Sequence, residues 1–465
     1  VRFMRRISQC VAVAVGLALG MTAVETRAAD SLDWHVKQNE VDANINNGSL
    51  IPVLKKIARV TGWKVFVEPG AATTVSVKFK DLSEDDALRR LLGKLNYAKD
   101  ATNGVTRLLV FRTLRSAATQ AIQAEKKDYR IHNEDLVKLK HGASTNAIDA
   151  LAKKVGAKVT ARDDRIGLYK LQFPDGSSAD SALQALDSDP SVAAADGNYS
   201  FDRPTPAMMT QVPNPAGSLY NLNPQPNADG PVIGLVDTAV DPPDQFKPYM
   251  LTPINVTGQT DAPTDEPTHG TGMLETMVQA MAENPSRILP VDVFGTGDST
   301  SDFELMEGIV AAVNAGANPI NLSLGDTAQS SLLASLIAEA QKDNYVFIAS
   351  EGNTPGEGEV YPADYPGVIS VTASSQVVTG PITGSPNVSG GQQQLAAYAN
   401  DPAGTDVMAP GTSYVQWNGQ TWVVEGTSPA AASTTGTIAD LMNQDHMTLG
   451  QAVSQVMKVA PAPAK

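Results

Sequence analysis

Four short segments carry the residue types that acyl-transfer chemistry needs. Asp237 ends the apolar run Val232-Ile233-Gly234-Leu235-Val236. His269 lies between Thr268 and Gly270-Thr271-Gly272. Asn353 closes Ala349-Ser350-Glu351-Gly352, and Ser428 sits in Glu425-Gly426-Thr427-Ser428-Pro429-Ala430 ahead of an Ala-rich stretch. A serine hydroxyl is a weak nucleophile until a base takes its proton. Imidazole is such a base near neutral pH. A buried carboxylate fixes the tautomer of the ring and stabilises the imidazolium that forms. An amide donor can hold the developing oxyanion. The residues therefore read as nucleophile Ser428, base His269, orienting acid Asp237 and oxyanion donor Asn353.

Taken singly, each has a plainer reading: a turn aspartate, a solvated histidine, a loop asparagine. Their settings favour the chemical one. The apolar run before Asp237 reads as a strand, and open α/β sheets place their sites at the carboxyl ends of strands. The glycines beside His269 allow close backbone approach. Ser413 also follows Gly-Thr, but a Pro/Gly turn precedes it and no helix signal comes directly after it. Ser428 is followed by Pro429, a residue favoured at the first helical position. Ala430, Ala431 and Ala432 then permit close helix packing, and a helix N-terminus offers positive potential to the oxygen.

The elements that must position these residues follow the same pattern. Residues 231–455 alternate strand and helix signals, which predicts an α/β domain with a mainly parallel sheet. Residues 128–202 predict a small α+β unit: a helix over 145–155, a strand over 168–173, a helix over 178–186, then a break at Pro190 and a strand over 191–195. Residues 33–113 predict another: helices over 50–61 and from Ser83, strands over 63–67, 75–79 and 108–111. Residues 114–127 read as a linker or short helix. The Pro/Asn-rich stretch 203–230 reads as a linker open to a processing cut, and 456–465 as a disordered tail.

The order Asp, His, Asn, Ser resembles that of the subtilisin-like serine peptidases, the subtilases. Asn321-Leu322-Ser323-Leu324-Gly325, Tyr361-Pro362-Ala363-Asp364-Tyr365-Pro366-Gly367 and Val407-Met408-Ala409-Pro410-Gly411 extend the resemblance over most of 231–442. It implies a three-layer α/β fold and an endopeptidase acting on protein and peptide substrates through an acyl-enzyme. It further implies that Ser323, Leu324 and Gly325 line the cleft and pair with substrate as an added strand. Catalysis by this route needs no cofactor. Calcium is common in the family, and Asp241 with the acidic loops leaves room for a structural ion, although no dense ligand motif is present. Residues 128–202 resemble a subtilase propeptide, an inhibitory partner within the same chain. Residues 33–113 resemble the short N-terminal module of secretins and TonB-dependent receptors. The chain departs from the family at Pro429, at Gly272-Met273, at Ser433-Thr434-Thr435 and at Glu351, a charged residue beside the expected pocket wall.

Charge and targeting signals bound the setting. The net charge is −15. From residue 221 onward there are 5 Lys/Arg against 26 Asp/Glu, and before it 30 against 24. An acidic half disfavours nucleic acid as a partner and suits basic partners, which include the chain's own first half. Residues 1–28 read as a secretory signal: Arg2, Arg5 and Arg6, an apolar run from Val11 to Ala23, and Thr26-Arg27-Ala28 as a cleavage site. No later segment is apolar enough to span a membrane. The expected location is periplasmic or extracellular. The single cysteine, Cys10, lies in this segment, so the remainder offers neither disulfide nor thiolate zinc site. Two other classes compete. One is a catalytically silent subtilase fold used as a binding or envelope module, against which the complete set of four residues argues. The other is a serine-carboxyl peptidase of the sedolisin type, which His269 and Asn353 oppose.

Overall fold

The computed structural model describes residues 31–35, 40–71, 73–102, 105–122, 128–213, 226–259, 264–281, 285–379, 381–382 and 394–462. The signal-like segment 1–28 lies outside them. The chain divides into two compact units, Val1–Lys127 and Asp128–Lys465.

The first unit contains β1 (Ser31–His35), β2 (Glu40–Ser49), α1 (Leu50–Thr61), β3 (Lys64–Val67), β4 (Thr74–Ser83), α2 (Glu84–Leu92), β5 (Asn96–Thr102), β6 (Val105–Phe111) and β7 (Gln120–Ile122). Leu50, Val53, Leu54 and Ile57 give α1 its buried face. Ser83 caps α2 by accepting from the Asp86 N–H at 3.4 Å. Two sheets form, β1-β2-β4 and β5-β6-β3-β7. The stretch read as a linker or short helix holds a 3-10 turn at Arg115–Ala117 and then β7, which pairs with β3.

The second unit begins with β8 (Arg130–Leu139), α3 (Ala147–Val155), β9 (Lys158–Asp163), β10 (Leu168–Gln172), α4 (Gly176–Asp187) and β11 (Val192–Asp202). It continues with β12 (Met208–Val212), β13 (Val232–Asp237), β14 (Ile254–Asn255), α5 (His269–Ala280), β15 (Arg287–Asp292), β16 (Ser299–Ser301), α6 (Asp302–Asn314), β17 (Ile320–Leu322) and α7 (Ser331–Lys342). β18 (Phe347–Ser350), β19 (Ile369–Val377), β20 (Val407–Trp417), β21 (Gln420–Glu425), α8 (Thr427–Gln444) and α9 (Leu449–Val459) complete it.

A nine-stranded sheet runs β12-β21-β20-β19-β18-β17-β13-β15-β14, parallel from β20 to β14 and antiparallel at β21 and β12. Strands covered on both faces need continuous apolar runs. β13 supplies one: Ile233 and Leu235 pack with α5 and α8, Val236 with α6 and α7. The stretch 203–230 is thus more than a linker, since β12 extends the main sheet. The tail expected to be disordered from 456 is also corrected. α9 runs to Val459 and buries Val456, because its apolar positions pack in one core with Ile438 of α8.

The expected strand at 191–195 is longer than its apolar run. β11 continues to Asp202, where β16 pairs with it antiparallel: Ser200 opposite Ser301, Phe201 opposite Thr300, Asp202 opposite Ser299. The sheet β16-β11-β8-β10-β9 therefore joins the 128–202 unit to the domain that follows. Leu136, Leu168 and Phe201 share a core with Leu289 and Phe303. Lys138 meets Glu339 at 3.0 Å, and Lys170 meets Glu304 at 2.7 Å. Asp196 accepts the Ser331 N–H at 2.7 Å, a favourable place for negative charge at the start of α7.

Helices α5 and α8 touch through Gly436. A Cβ there would lie 2.5 Å from the Met277 carbonyl oxygen and 2.9 Å from the Ala280 Cβ. The first neighbour is backbone and cannot rotate away. Gly436→Ala should therefore lower the unfolding midpoint by the equivalent of about 1–3 kcal/mol, as overpacked cores do. Thermal or denaturant melts of the two proteins would check this. An unchanged midpoint would mean that α5 and α8 can separate without cost.

Candidate active site

Asp237, the last residue of β13, is fully buried. His269 is the first residue of α5, and its Nδ1 lies 2.8 and 2.9 Å from the two Asp237 carboxylate oxygens. Thr238 fixes the pair from both sides. Its N–H donates to Asp237 Oδ1 at 2.7 Å, and its hydroxyl accepts the Gly270 N–H at 2.8 Å. Gly270 is required by contact: a Cβ would stand 2.4 Å from the Thr238 carbonyl oxygen. With Nδ1 facing a carboxylate, the ring proton belongs on that nitrogen. Nε2 is then left as the acceptor. Nε2 is buried and makes no hydrogen bond among the described residues.

Ser428 is the second residue of α8 and is 4% exposed. Pro429 is the third helical residue rather than the first, still within the turn whose N–H groups have no helical partner. Ser428 Oγ donates to the Ser323 carbonyl oxygen at 3.3 Å, so in this structure the hydroxyl is engaged there and not by His269. Ser323 Oγ in turn donates to the Ser428 carbonyl oxygen at 3.2 Å and accepts from Asn321 Nδ2 at 2.8 Å. Asn321 Oδ1 accepts from Thr435 Oγ1 at 3.0 Å, which ties β17 to α8 a second time. The rival Ser413 lies inside β20, fully buried, where its Oγ accepts from Thr276 Oγ1 at 2.8 Å.

Asn353 is oriented by the start of α8. Its Oδ1 accepts from the Thr427 N–H at 2.9 Å and from Thr427 Oγ1 at 3.2 Å, while Thr427 Oγ1 accepts from the Gly352 N–H at 3.0 Å. A backbone N–H can only donate, so the amide oxygen must face α8 and Nδ2 must face away. Nδ2 donates to the carbonyl oxygen of Thr205, three residues beyond β11, at 3.3 Å. Thr205, Thr427 and Thr238 were not singled out from sequence. Each is an ordinary residue one position from a turn or motif, and only its partner gives it meaning.

Ser323 and Leu324 are buried beside Ser428. Among the described residues the chain's own segment at the end of β11 pairs with β16 and, through the Arg203 N–H, with the Asp298 carbonyl at 2.8 Å. No three His, Cys, Asp or Glu side chains converge to hold a metal ion among the described residues, Asp241 included.

Glu351 is fully buried, accepts from Thr405 Oγ1 at 3.1 Å, and faces Asp364. Burial, and then the neighbouring Asp364 carboxylate, push it up to about 8. The folded protein therefore keeps a proton that the unfolded chain releases near the ordinary value of 4.5. This contribution to stability is full below that value and is lost as pH rises toward about 8. Glu351→Gln keeps the acceptor for Thr405 without the charge. Its melting temperature relative to the parent should rise steadily between these two pH values in scanning calorimetry. A pH-independent difference would remove Glu351 from this role.

Residues 228–460 match the subtilase family profile, and residues 115–198 match the fervidolysin N-terminal prodomain. The chain is 26% identical over 355 residues to a thermophilic serine proteinase of Bacillus sp. strain AK1, covering 72% of this chain and 84% of that protein. It is also 26% identical over 280 residues to subtilisin E of Bacillus subtilis strain 168, covering 57% and 68%. Among solved structures it resembles fervidolysin from Fervidobacterium pennivorans, a keratinolytic enzyme related to subtilisin, with a TM-score of 0.52 and 20% identity. That likeness covers 70% of this chain and 56% of fervidolysin, and at this identity it speaks for the fold. A profile that spans half the chain, on a fold that brings an Asp–His pair to the carboxyl end of β13, places the protein: it belongs to the subtilase family, as a subtilisin-like serine peptidase with a fervidolysin-like prodomain.

Proposed function

We propose that this chain is an exported serine endopeptidase that acts through an acyl-enzyme on Ser428 and is made as a zymogen that cleaves itself. The observation that carries the reading is the Asp237–His269 pair, held at 2.8 Å with Nε2 free to accept a proton. In the proposed step Ser428 Oγ leaves the Ser323 carbonyl and attacks the substrate carbonyl carbon. Its proton passes to His269 Nε2, and Asp237 stabilises the imidazolium. Asn353 Nδ2, aimed away from α8 by Thr427, stabilises the oxyanion. His269 then protonates the leaving nitrogen, and water repeats the sequence to release the acid. Ser323, Leu324 and Gly325 form the wall against which substrate lies. No cofactor enters these steps.

Export rests on the basic, apolar and small-residue pattern of 1–28. Among the described residues no helix is long and apolar enough to cross a membrane. Self-cleavage rests on the prodomain being covalently joined and packed, through β11, against β16. A silent, purely binding role has no observation in its favour, since the Asp, His, Asn and Ser residues are all present.

Casein hydrolysis by the chain without residues 1–28 tests the proposal. Ser428→Ala should abolish turnover. Asn353→Ala should lower kcat by about 10²–10³, a magnitude measured for the oxyanion amide of subtilisin itself rather than derived from this structure. Equal rates for Ser428→Ala and the parent would refute the assignment.

A further inference from the structure

The segment that follows the prodomain passes through the site in the manner of a substrate. On one side, Ser200–Asp202 pair with Ser299–Ser301, and the Arg203 N–H donates to the Asp298 carbonyl at 2.8 Å. The Arg203 side chain adds a bond from Nε to the Gly297 carbonyl at 2.9 Å, and its guanidinium lies 5.6 Å from the Phe294 ring centre. On the other side, Met208–Val212 pair with Thr421–Glu425, which ends three residues before Ser428. Between the two clamps, the carbonyl oxygen presented to Asn353 Nδ2 is that of Thr205, and the next residue is Pro206.

We propose that Thr205–Pro206 is the bond offered to Ser428, and that Pro206 throttles its cleavage, making residues 199–212 a slowly cut inhibitor built into the chain. This rests on Ser428 being the nucleophile and deepens that reading by naming its first substrate. In the step itself, Ser428 Oγ bonds to the Thr205 carbonyl carbon and its proton goes to His269 Nε2. The Thr205–Pro206 C–N bond breaks, and the proline nitrogen takes the proton and leaves as a secondary amine. Water then frees the Thr205 carboxylate and regenerates Ser428.

Two features slow this step. The nitrogen of Pro206 carries a ring carbon where every other residue carries hydrogen, so the ring crowds the side from which His269 must deliver the proton. The pairing of β12 with β21 also holds the new amine beside the ester, where its high effective concentration favours resynthesis. The second feature is shared by any residue at 206. The first belongs to proline alone, and substitution isolates it.

The test is self-cleavage of the full chain, followed by intact mass and N-terminal sequencing, for the parent, Pro206→Ala, Pro206→Ser and Ser428→Ala. The expected result is a new N-terminus at residue 206 that appears about tenfold or more faster in both Pro206 variants than in the parent. Casein hydrolysis should rise in step with it, and Ser428→Ala should remain uncut. Two substitutions guard against a folding artefact in either. Parent and variants cut equally fast at 206, or cut only elsewhere, would overturn the proposal. Labelling of Ser428 by a fluorophosphonate separates the two levels. Label in the variants without faster cleavage removes the role of Pro206 alone. No label and no cleavage in any protein removes Ser428 as nucleophile, and this proposal with it.

Discussion

Helix α8 is buried from Thr427 to Asp440, and the site depends on how that burial is achieved. A helix enclosed on all sides needs small residues where neighbours press and partners for any polar group it carries. Ala430, Ala431, Ala432 and Gly436 meet the first need. The hydroxyls of Thr434 and Thr437 meet the second by bonding to carbonyls four residues earlier, and that of Ser433 to one three residues earlier. The helix is thereby fixed against β17, β18 and α5, and its first turn has one place to be. Ser428 inherits that position. So does Asn353, whose amide oxygen is captured by the Thr427 N–H at the mouth of the helix.

The departures from the family pattern gain a physical sense in this setting. Ser433-Thr434-Thr435 brings hydroxyls into a buried helix, and Thr435 spends its own on Asn321, the residue that supports Ser323. Glu351 does not point a charge at the site. It turns into the protein toward Thr405 and Asp364, where burial favours its protonated form. Its consequence therefore falls on stability between about pH 4.5 and 8 rather than on substrate charge.

The prodomain is held to the domain that follows it by strand addition, burial and ion pairs. β11 adds to β16, its apolar face merges with the core beneath α6, and lysines of the basic half meet glutamates of the acidic half at Lys138–Glu339 and Lys170–Glu304. These exposed or partly exposed pairs add little energy singly. Their use is orientation, while Phe201 and its neighbours supply the burial. The uneven charge visible along the chain thus has a partner within the chain itself.

Sequence alone determined the residue types, their order and the strand and helix beginnings that hold them. Asp237 after an apolar run, His269 among glycines and Ser428 before alanines are local signals, and local signals survive without tertiary context. It also marked 128–202 as a separate α+β unit with the form of a propeptide. Its failures share one cause. β12, the extension of β11 to Asp202 and the end of α9 carry weak patterns of their own, and each exists because a distant partner completes it. The same holds for Thr205, which nothing in its neighbourhood distinguishes. Only the tertiary structure decided that its carbonyl meets Asn353, because that contact depends on two strand pairings between segments far apart in the chain, Ser200 with Ser301 and Met208 with Glu425. Pairings of that kind depend on the register of both strands, and the sequence near Thr205 records neither.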